Sequence, residues 1–338
     1  MAQVLKKHFP AVHISMLIRR YTSEIVQYHP AVDQMLFYDS DSQPLPFFQF
    51  VRSLRSERID VVFQTNPRFR IALMMWFAGI PIRVGTGYRW YSFLFNRKVY
   101  EHRKDSRYHE LEYNLHLLKA IDCPLDNDAI TPSFAVPSSA LERVRTLLAQ
   151  FNIPEGAKII TLHPGSGGSA REWSPKKFGE LGKKLSDLRN VYIFVTGSND
   201  EGDLAREILE MIGTNSRSLV NMLNLTELAA LIKTSSLFVS NSTGPIHIAA
   251  AVGTPVIGLY PQLVPMSATR WGPYTNRKVV FTPKQVPIDC RQCAGEAHGR
   301  CVCMEAITVD EVADAAIAMF STSEHEAHVT DIHLSNSK

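Results

Sequence analysis

The chain has 338 residues, 45% of them apolar and 20% charged, with a formal net charge of +3 at pH 7. That length exceeds one average domain and suits two, and the composition is that of a chain with sizeable cores. So small a net charge gives no bulk electrostatic case for a nucleic-acid partner. The most hydrophobic stretch, Ile71 to Ile80, is only core-helix length, and no signal-peptide core follows Lys6 and Lys7. A cytoplasmic location is therefore the expectation, and a peripheral place at a membrane surface is compatible with it.

Taken in chain order, apolar runs alternate with helical patterns, which predicts parallel sheets with helices on both faces. Strands are expected at His13 to Ile18, Gln34 to Tyr38, Asp60 to Gln64, Ile82 to Gly85 and Lys98 to Glu101. Between them, Phe47 to Ser56, Arg68 to Gly79 and His109 to Ile121 carry apolar residues at helical spacing. Pro124, Pro132 and Pro137 then interrupt any regular pattern over Cys123 to Ser138, the expected interdomain region. The second half runs through a helix at Ser139 to Phe151, strands at Lys158 to Leu162, Val191 to Thr196 and Leu237 to Ser240, and helices at Pro175 to Ser186, Glu201 to Ile212 and Leu225 to Thr234. Domains are thus expected over residues 1–138 and 139–320. Residues 321–338 are polar, without a periodic apolar face, and read as a flexible tail.

Two loops in the second half have the chemistry of an anion site. In residues 240–260, SNSTGPIHIAAAVGTPVIGLY, the strand ends in a Ser242-Thr243-Gly244 turn, and a small-residue helix begins near Pro245. The N–H groups of such a helix have no helical partner and its dipole favours an anion, while Pro245 suits the first turn and His247 lies within reach of the same ligand. A tightly packed crossover with no ligand is the competing reading. The second loop, HPGSGGSAREWSPKKF from His163 to Phe178, has glycines that permit successive exposed N–H groups. Its Arg171 supplies a planar cationic fork for phosphate. In a doubly wound sheet, loops at the carboxyl ends of strands converge on one edge, and two anion-competent loops there suggest a diphosphate. Neither loop matches the Walker pattern or the dinucleotide fingerprint, which argues against an ATPase or a nicotinamide enzyme.

The segments HPGSGGSAREW, SNSTGPIHIAAAVGTPVIGLY, RWGP at Arg270 to Pro273 and CMEAITVDEV, in that order, resemble the ADP-heptose:lipopolysaccharide heptosyltransferases, glycosyltransferase family 9. The likeness runs from the helix around Leu5 to Phe320. It implies an α/β protein of GT-B architecture: two Rossmann-like doubly wound domains facing a central cleft, with the nucleotide sugar held mainly by the C-terminal domain and the acceptor by the N-terminal one. The implied activity is inverting, metal-independent transfer of heptose or a related sugar from an ADP-sugar. The implied acceptor is a lipopolysaccharide core or lipid-linked saccharide, with no cofactor required and with peripheral contact with the inner membrane compatible. By position, Ser166, Arg171, Ser242, Thr243, Gly244 and His247 match donor-binding places, Ser169 neighbours them, and nucleoside contacts fall within Thr196 to Asp200 and Val220 to Leu223. Position 242 is more often acidic in the family.

The resemblance also implies a first strand and a Gly-Asp loop, bearing the usual general base, ahead of the segment where this chain begins. The expectation is that both are missing from the sequence, leaving an inner gap in the N-terminal sheet. No catalytic base is therefore assigned. Asp39 and Asp41 follow a strand end, but acidic loop residues of this kind are usually solvated. A catalytically impaired nucleotide-sugar-binding protein is the alternative reading. Cys290, Cys293, Cys301 and Cys303, with His298 between the pairs, fit either a structural zinc site or a reduced, packed loop, while Cys123 reads as a small buried residue. The aromatic and basic stretch from Tyr88 to Lys98 has three readings: a sugar-stacking surface, a membrane contact, or a cover for the edge of the first sheet.

Overall fold

A computed structural model describes residues 1–40, 43–125, 131–154, 156–284 and 301–319. The chain divides into two compact units at the Ile130–Thr131 bond.

The first unit contains α1 (Ala2–His8), β1 (Ser15–Ile18), α2 (Ser23–Val26), β2 (Gln34–Phe37), a short antiparallel pair β3 (Asp39–Ser40) and β4 (Gln43–Pro44), α3 (Phe47–Ser56), β5 (Val61–Phe63), α4 (Phe69–Phe77), β6 (Ile82–Thr86), β7 (Arg97–Val99) and α5 (Glu110–His116). Helix α3 follows from its pattern: Phe50, Val51 and Leu54, at helical spacing, are buried, while Arg52, Ser53 and Arg55 are exposed. Helix α5 starts on a reciprocal cap, in which His109 accepts from the Leu111 amide and Glu112 accepts from the His109 amide. Its parallel strands fall into two sheets, β1–β2 and β5–β6–β7. Leu17 and Leu36 of the first sheet share an apolar cluster with Ile59, next to β5, beneath α3 and α4. A second cluster joins Ile14 and Phe63 beneath α1 and α5. Common helical layers therefore cover both sheets, and among the described residues no strand lies between β1 and β5.

The second unit contains α6 (Ser138–Ala149), β8 (Lys158–His163), α7 (Pro175–Ser186), β9 (Val191–Val195), α8 (Gly202–Ile212), β10 (Ser216–Ser218), α9 (Leu225–Thr234), β11 (Leu237–Asn241), α10 (Gly244–Val252), β12 (Val256–Leu259), α11 (Ala268–Trp271) and β13 (Lys278–Phe281), with a further helix over 309–319. The segment before α6 belongs with this unit, the Phe134 amide donating to the Ala251 carbonyl at 3.1 Å. One parallel sheet runs in the order β10-β9-β8-β11-β12-β13. Strand alternation sorts the core: Ile160, Leu162, Ile193 and Val195 pack on α7 and α8, whereas Ile159 and Phe194 face α6 and α9. Each such side chain, when fully buried, contributes roughly 1.5–3 kcal/mol. Cys301 and Cys303 are buried in the first of these clusters. Cys290, Cys293 and His298, together with the tail from Phe320 onwards, lie outside the described residues.

Candidate functional site

The chain crosses the second sheet in two directions. From β8 it proceeds outward to β9 and β10, and from β11 it proceeds the other way to β12 and β13. The carboxyl ends of β8 and β11 are therefore the topological switch point, where a crevice opens between loops that leave in opposite directions. Ser240 and His163 are register partners there, so the loop after His163 and the turn after Asn241 start side by side.

Asn241 joins them. Its side chain is fully buried, its Oδ1 accepts from the Trp173 amide at 3.0 Å, and its Nδ2 donates to the Pro164 carbonyl at 2.6 Å. A carboxamide is the side-chain group that satisfies one donor and one acceptor at once, and here it spans both ends of the His163 to Trp173 loop. Trp173 is itself fixed, its indole N–H donating to the Ile307 carbonyl at 3.0 Å in a position 1% exposed. Sequence reasoning missed Asn241; the available signal was a polar residue closing an otherwise apolar strand.

Within the loop, Gly167 and Gly168 have φ of +54° and +77°, the left-handed conformations expected of an anion-binding backbone. One such amide is already in use. Gly167 N–H donates to Glu201 Oε1 at 3.3 Å, and the other oxygen of that carboxylate accepts from the Ser198 amide at 2.6 Å. Gly165 makes room for this carboxylate, since a Cβ there would lie 1.8 Å from Glu201 Oε1. The loop thus holds an internal anion, a contact the sequence reading did not include. The Ser166 hydroxyl donates to the Glu172 carboxylate and receives the Ala170 amide at 3.4 Å, and Ser169 donates to the Ser166 carbonyl at 2.7 Å. Both serines are thus engaged inside the loop. Arg171 is half-buried on the same segment, immediately before the Glu172-Trp173 anchor.

Helix α10 begins as expected, with Thr243 at its N-cap and proline in its first turn. No side chain caps the helix. The Thr243 hydroxyl pairs with Ser240 at 3.1 Å rather than with the first-turn amides, and Ser242 hydrogen-bonds Tyr260 rather than capping the helix. Burial holds the Tyr260 hydroxyl above the ordinary tyrosine range, with the Ser242 hydrogen bond opposing that shift, and the hydroxyl donates to the Trp271 carbonyl at 2.8 Å. Ser242 is in this way linked to α11, the RWGP element. Gly244 is exposed at the turn and His247 is half-buried one turn into the helix.

Beneath the loops, His163 Nδ1 lies 3.0 Å from Thr196 Oγ1, and burial lowers the imidazole's pKa to about 4, with the nearby Glu201 carboxylate opposing the shift. The Thr196 hydroxyl faces the Leu162 carbonyl at 3.3 Å, which leaves its oxygen to accept from a neutral, Nδ1-protonated ring. Thr196 is accordingly buried structure rather than an open nucleoside contact.

In the first unit, Asp39 is not a solvated loop residue. It is 3% exposed, accepts from the Arg20 amide at 2.8 Å and lies 3.4 Å from the Arg19 guanidinium. Asp41 lies outside the described residues. The stretch from Tyr88 to Lys98 splits between readings: Tyr91, Leu94 and Phe95 are buried against the unit, while Tyr88, Trp90 and Phe93 are exposed. Among the described residues no group of three or more His, Cys, Asp or Glu side chains is placed to hold a metal ion.

This is a chain of two α/β units with an anion-competent switch point in the second, and its fold is that of GT-B glycosyltransferases. Residues 47–296 match the family model of glycosyltransferase family 9 (heptosyltransferase), and the chain belongs to that family. It is similar to lipopolysaccharide heptosyltransferase 3 of Escherichia coli, 24% identical over 291 residues covering 82% of each chain. Among solved structures it resembles the glycosyltransferase of family 9 from Veillonella parvula (TM-score 0.79, 17% identity, 95% and 92% of the two chains). It also resembles the ADP-heptose lipopolysaccharide heptosyltransferase II of Escherichia coli (TM-score 0.75, 22% identity, 96% and 94%).

Proposed function

We propose that this glycosyltransferase moves heptose, or a related sugar, from an ADP-sugar to a lipopolysaccharide core or lipid-linked saccharide, inverting the anomeric centre without a metal ion. Family membership and the ADP-heptose enzyme among its structural neighbours support the donor and acceptor classes. The observation that carries the reading is the clamp made by Asn241, which holds two anion-competent loops together at the switch point.

In this reading the donor diphosphate lies over the carboxyl ends of β8 and β11. The first-turn amides of α10, with Thr243 and Gly244, take one phosphate through N–H groups and the helix dipole. Arg171 neutralises charge that grows on the diphosphate as the sugar leaves, and His247 with Ser242 and Ser166 completes the polar surround. A general base, which we do not assign, takes the proton of the acceptor hydroxyl. The acceptor belongs to the first unit.

The test is calorimetric titration of ADP, UDP, GDP and CDP into the full chain and into Arg171→Ala. Preference for ADP, with at least tenfold weaker binding in the variant, is expected for a lost charge-assisted contact of about 1.5–3 kcal/mol. Preference for another nucleotide would overturn the sugar assignment, and no binding by a folded chain would overturn the site.

A further inference from the structure

The parallel strands β5, β6 and β7 end on one edge of their sheet, so the segments that follow them, Gln64 to Asn66, Gly87-Tyr88 and Tyr100 to Arg103, meet there. Side chains fix the meeting. Buried Gln64 donates to the Asn66 and Arg68 carbonyls at 3.1 and 2.8 Å and shapes the first loop. Arg103 donates to the Thr65 carbonyl at 3.2 Å and to Asn114 Oδ1 at 3.0 Å, and pairs with Glu110, so its charge is spent on joining that loop to the third segment and to α5. The third segment is also held from beneath: the hydroxyl of buried Tyr113 donates to the His102 carbonyl at 3.5 Å and accepts from the Arg107 amide at 3.2 Å.

On this edge the rings of Tyr88 and His102 lie face to face, 3.8 Å between centres and 26° between planes, and Tyr100 stands perpendicular to Tyr88 with its centre 5.7 Å away. Gly87 admits Tyr100, since a Cβ there would lie 2.2 Å from the ring. The three rings are not core. Tyr88 and Tyr100 are 47% and 63% exposed and His102 is exposed, whereas Tyr91 and Phe95 of the same unit turn inward and are buried. The strand ends thus carry a rigid aromatic corner in water, and the exposed Thr65 and Asn66 stand on the loop that Arg103 ties to it.

We infer that this corner holds a pyranose ring of the acceptor saccharide, its C–H face against the stack of Tyr88 and His102 and its hydroxyl rim towards the Thr65-Asn66 loop. The inference rests on the transfer reaction proposed above and adds which residues of the first unit recognise the acceptor, and by what chemistry. The C–H bonds on one face of a pyranose are positively polarised and meet the negative face of an aromatic ring, while tyrosine and histidine keep their polar atoms in water. Rings already fixed by one another lose little freedom when a ligand settles on them, so more of the contact energy appears as affinity. Ligands of open parallel sheets lie outside the carboxyl ends of the strands, which is where the corner stands.

The experiment is saturation-transfer NMR of the full chain with core oligosaccharide freed from lipopolysaccharide by mild acid, beside calorimetric titration of ADP into the same samples. Transfer to ring C–H protons of the oligosaccharide is expected. Tyr88→Ala should weaken oligosaccharide binding about fivefold and leave ADP binding unchanged, and Tyr88→Phe, which keeps the ring, should bind within about twofold of the parent. His102→Ala removes the other half of the stack and should show the same loss, which keeps the test decisive if circular dichroism finds Tyr88→Ala unfolded. The inference is overturned if the parent binds ADP but gives no transfer, or if the folded alanine variants bind the oligosaccharide as tightly as the parent. Weaker ADP binding in those variants would place the corner in the nucleotide site and overturn it as well. Failure of the parent to bind ADP would count against the transfer reaction, while the oligosaccharide alone would still decide for or against the corner.

Discussion

Replacing Asn241 with leucine keeps the branched heavy-atom skeleton, adds methyl bulk and removes both of its hydrogen bonds. The Pro164 carbonyl and the Trp173 amide are then left in a buried site without the partner each now has. Each unmet group costs about 1–3 kcal/mol, so the pair costs roughly 2–6 kcal/mol, less what the added apolar contact returns. At about 2–4 °C per kcal/mol for a unit of this size, the second unit should melt on the order of 10 °C lower. Aspartate at the same position separates the two bonds. It can still accept from Trp173 but, when ionised, cannot donate to Pro164, so Asn241→Asp should be strongly destabilised at neutral pH and recover as acidification protonates the new carboxyl. Urea denaturation gives the stability change, and ADP titration reports whether the freed loop still presents its groups; at least tenfold weaker nucleotide binding is expected. If Asn241→Leu lost less than about 1 kcal/mol and bound ADP unchanged, the two loops would be held by something other than this amide.

Three further outcomes follow from contacts around the site. His163, held neutral by burial with a pKa near 4, should leave the fold at full stability above the ordinary histidine value of 6.5; as pH falls from there towards 4 the unfolded chain protonates first, and up to about 3 kcal/mol is lost. His163→Gln should flatten that part of a stability-against-pH curve, and an unchanged slope would assign it to other groups. Gly165→Ala should push the Glu201 carboxylate off the Gly167 and Ser198 amides, and in a Glu201→Ala background it should cost little more, a non-additivity readable by a double-mutant cycle in urea. Tyr260→Phe should cost about 1–2 kcal/mol in the same assay, because the Trp271 carbonyl and Ser242 both lose the hydroxyl; a neutral result would mean that water replaces it.

Much of this was legible in the sequence where local chemistry decides the matter. Phe47–Ser56, Pro175–Ser186 and Leu225–Thr234 begin and end where their periodicity and caps place them, with Ser174 accepting from the Lys177 amide and Asn224 exchanging bonds with Glu227. Both edge strands of the second unit's sheet were missed. Ser216–Ser218 has no apolar run to announce it, and Lys278–Phe281 follows a polar segment and borrows its strand conformation from pairing with β12. Both loops were visible through their glycines. What ties them together was not: Asn241 reaches a carbonyl 77 residues away, and Glu201 an amide 34 residues away, and such partners depend on strand order rather than on neighbours in sequence. The stretch from Tyr88 to Lys98 could not be resolved by composition, because buried Tyr91 and exposed Trp90 differ only in which way the backbone turns them.

The two units should not share one melting behaviour. In the second, the four inner strands are each hydrogen-bonded on both sides; in the first, β1 has only β2 beside it and β5 only β6 among the described residues. Backbone amides of β1 and β5 should therefore exchange with solvent far sooner than those of β8 and β11. On heating, the first unit is expected to open in an earlier transition, and a nucleotide at the β8–β11 edge would raise only the later one. Over the interval between the two, the chain would keep a folded second unit, switch point included, after the first had opened.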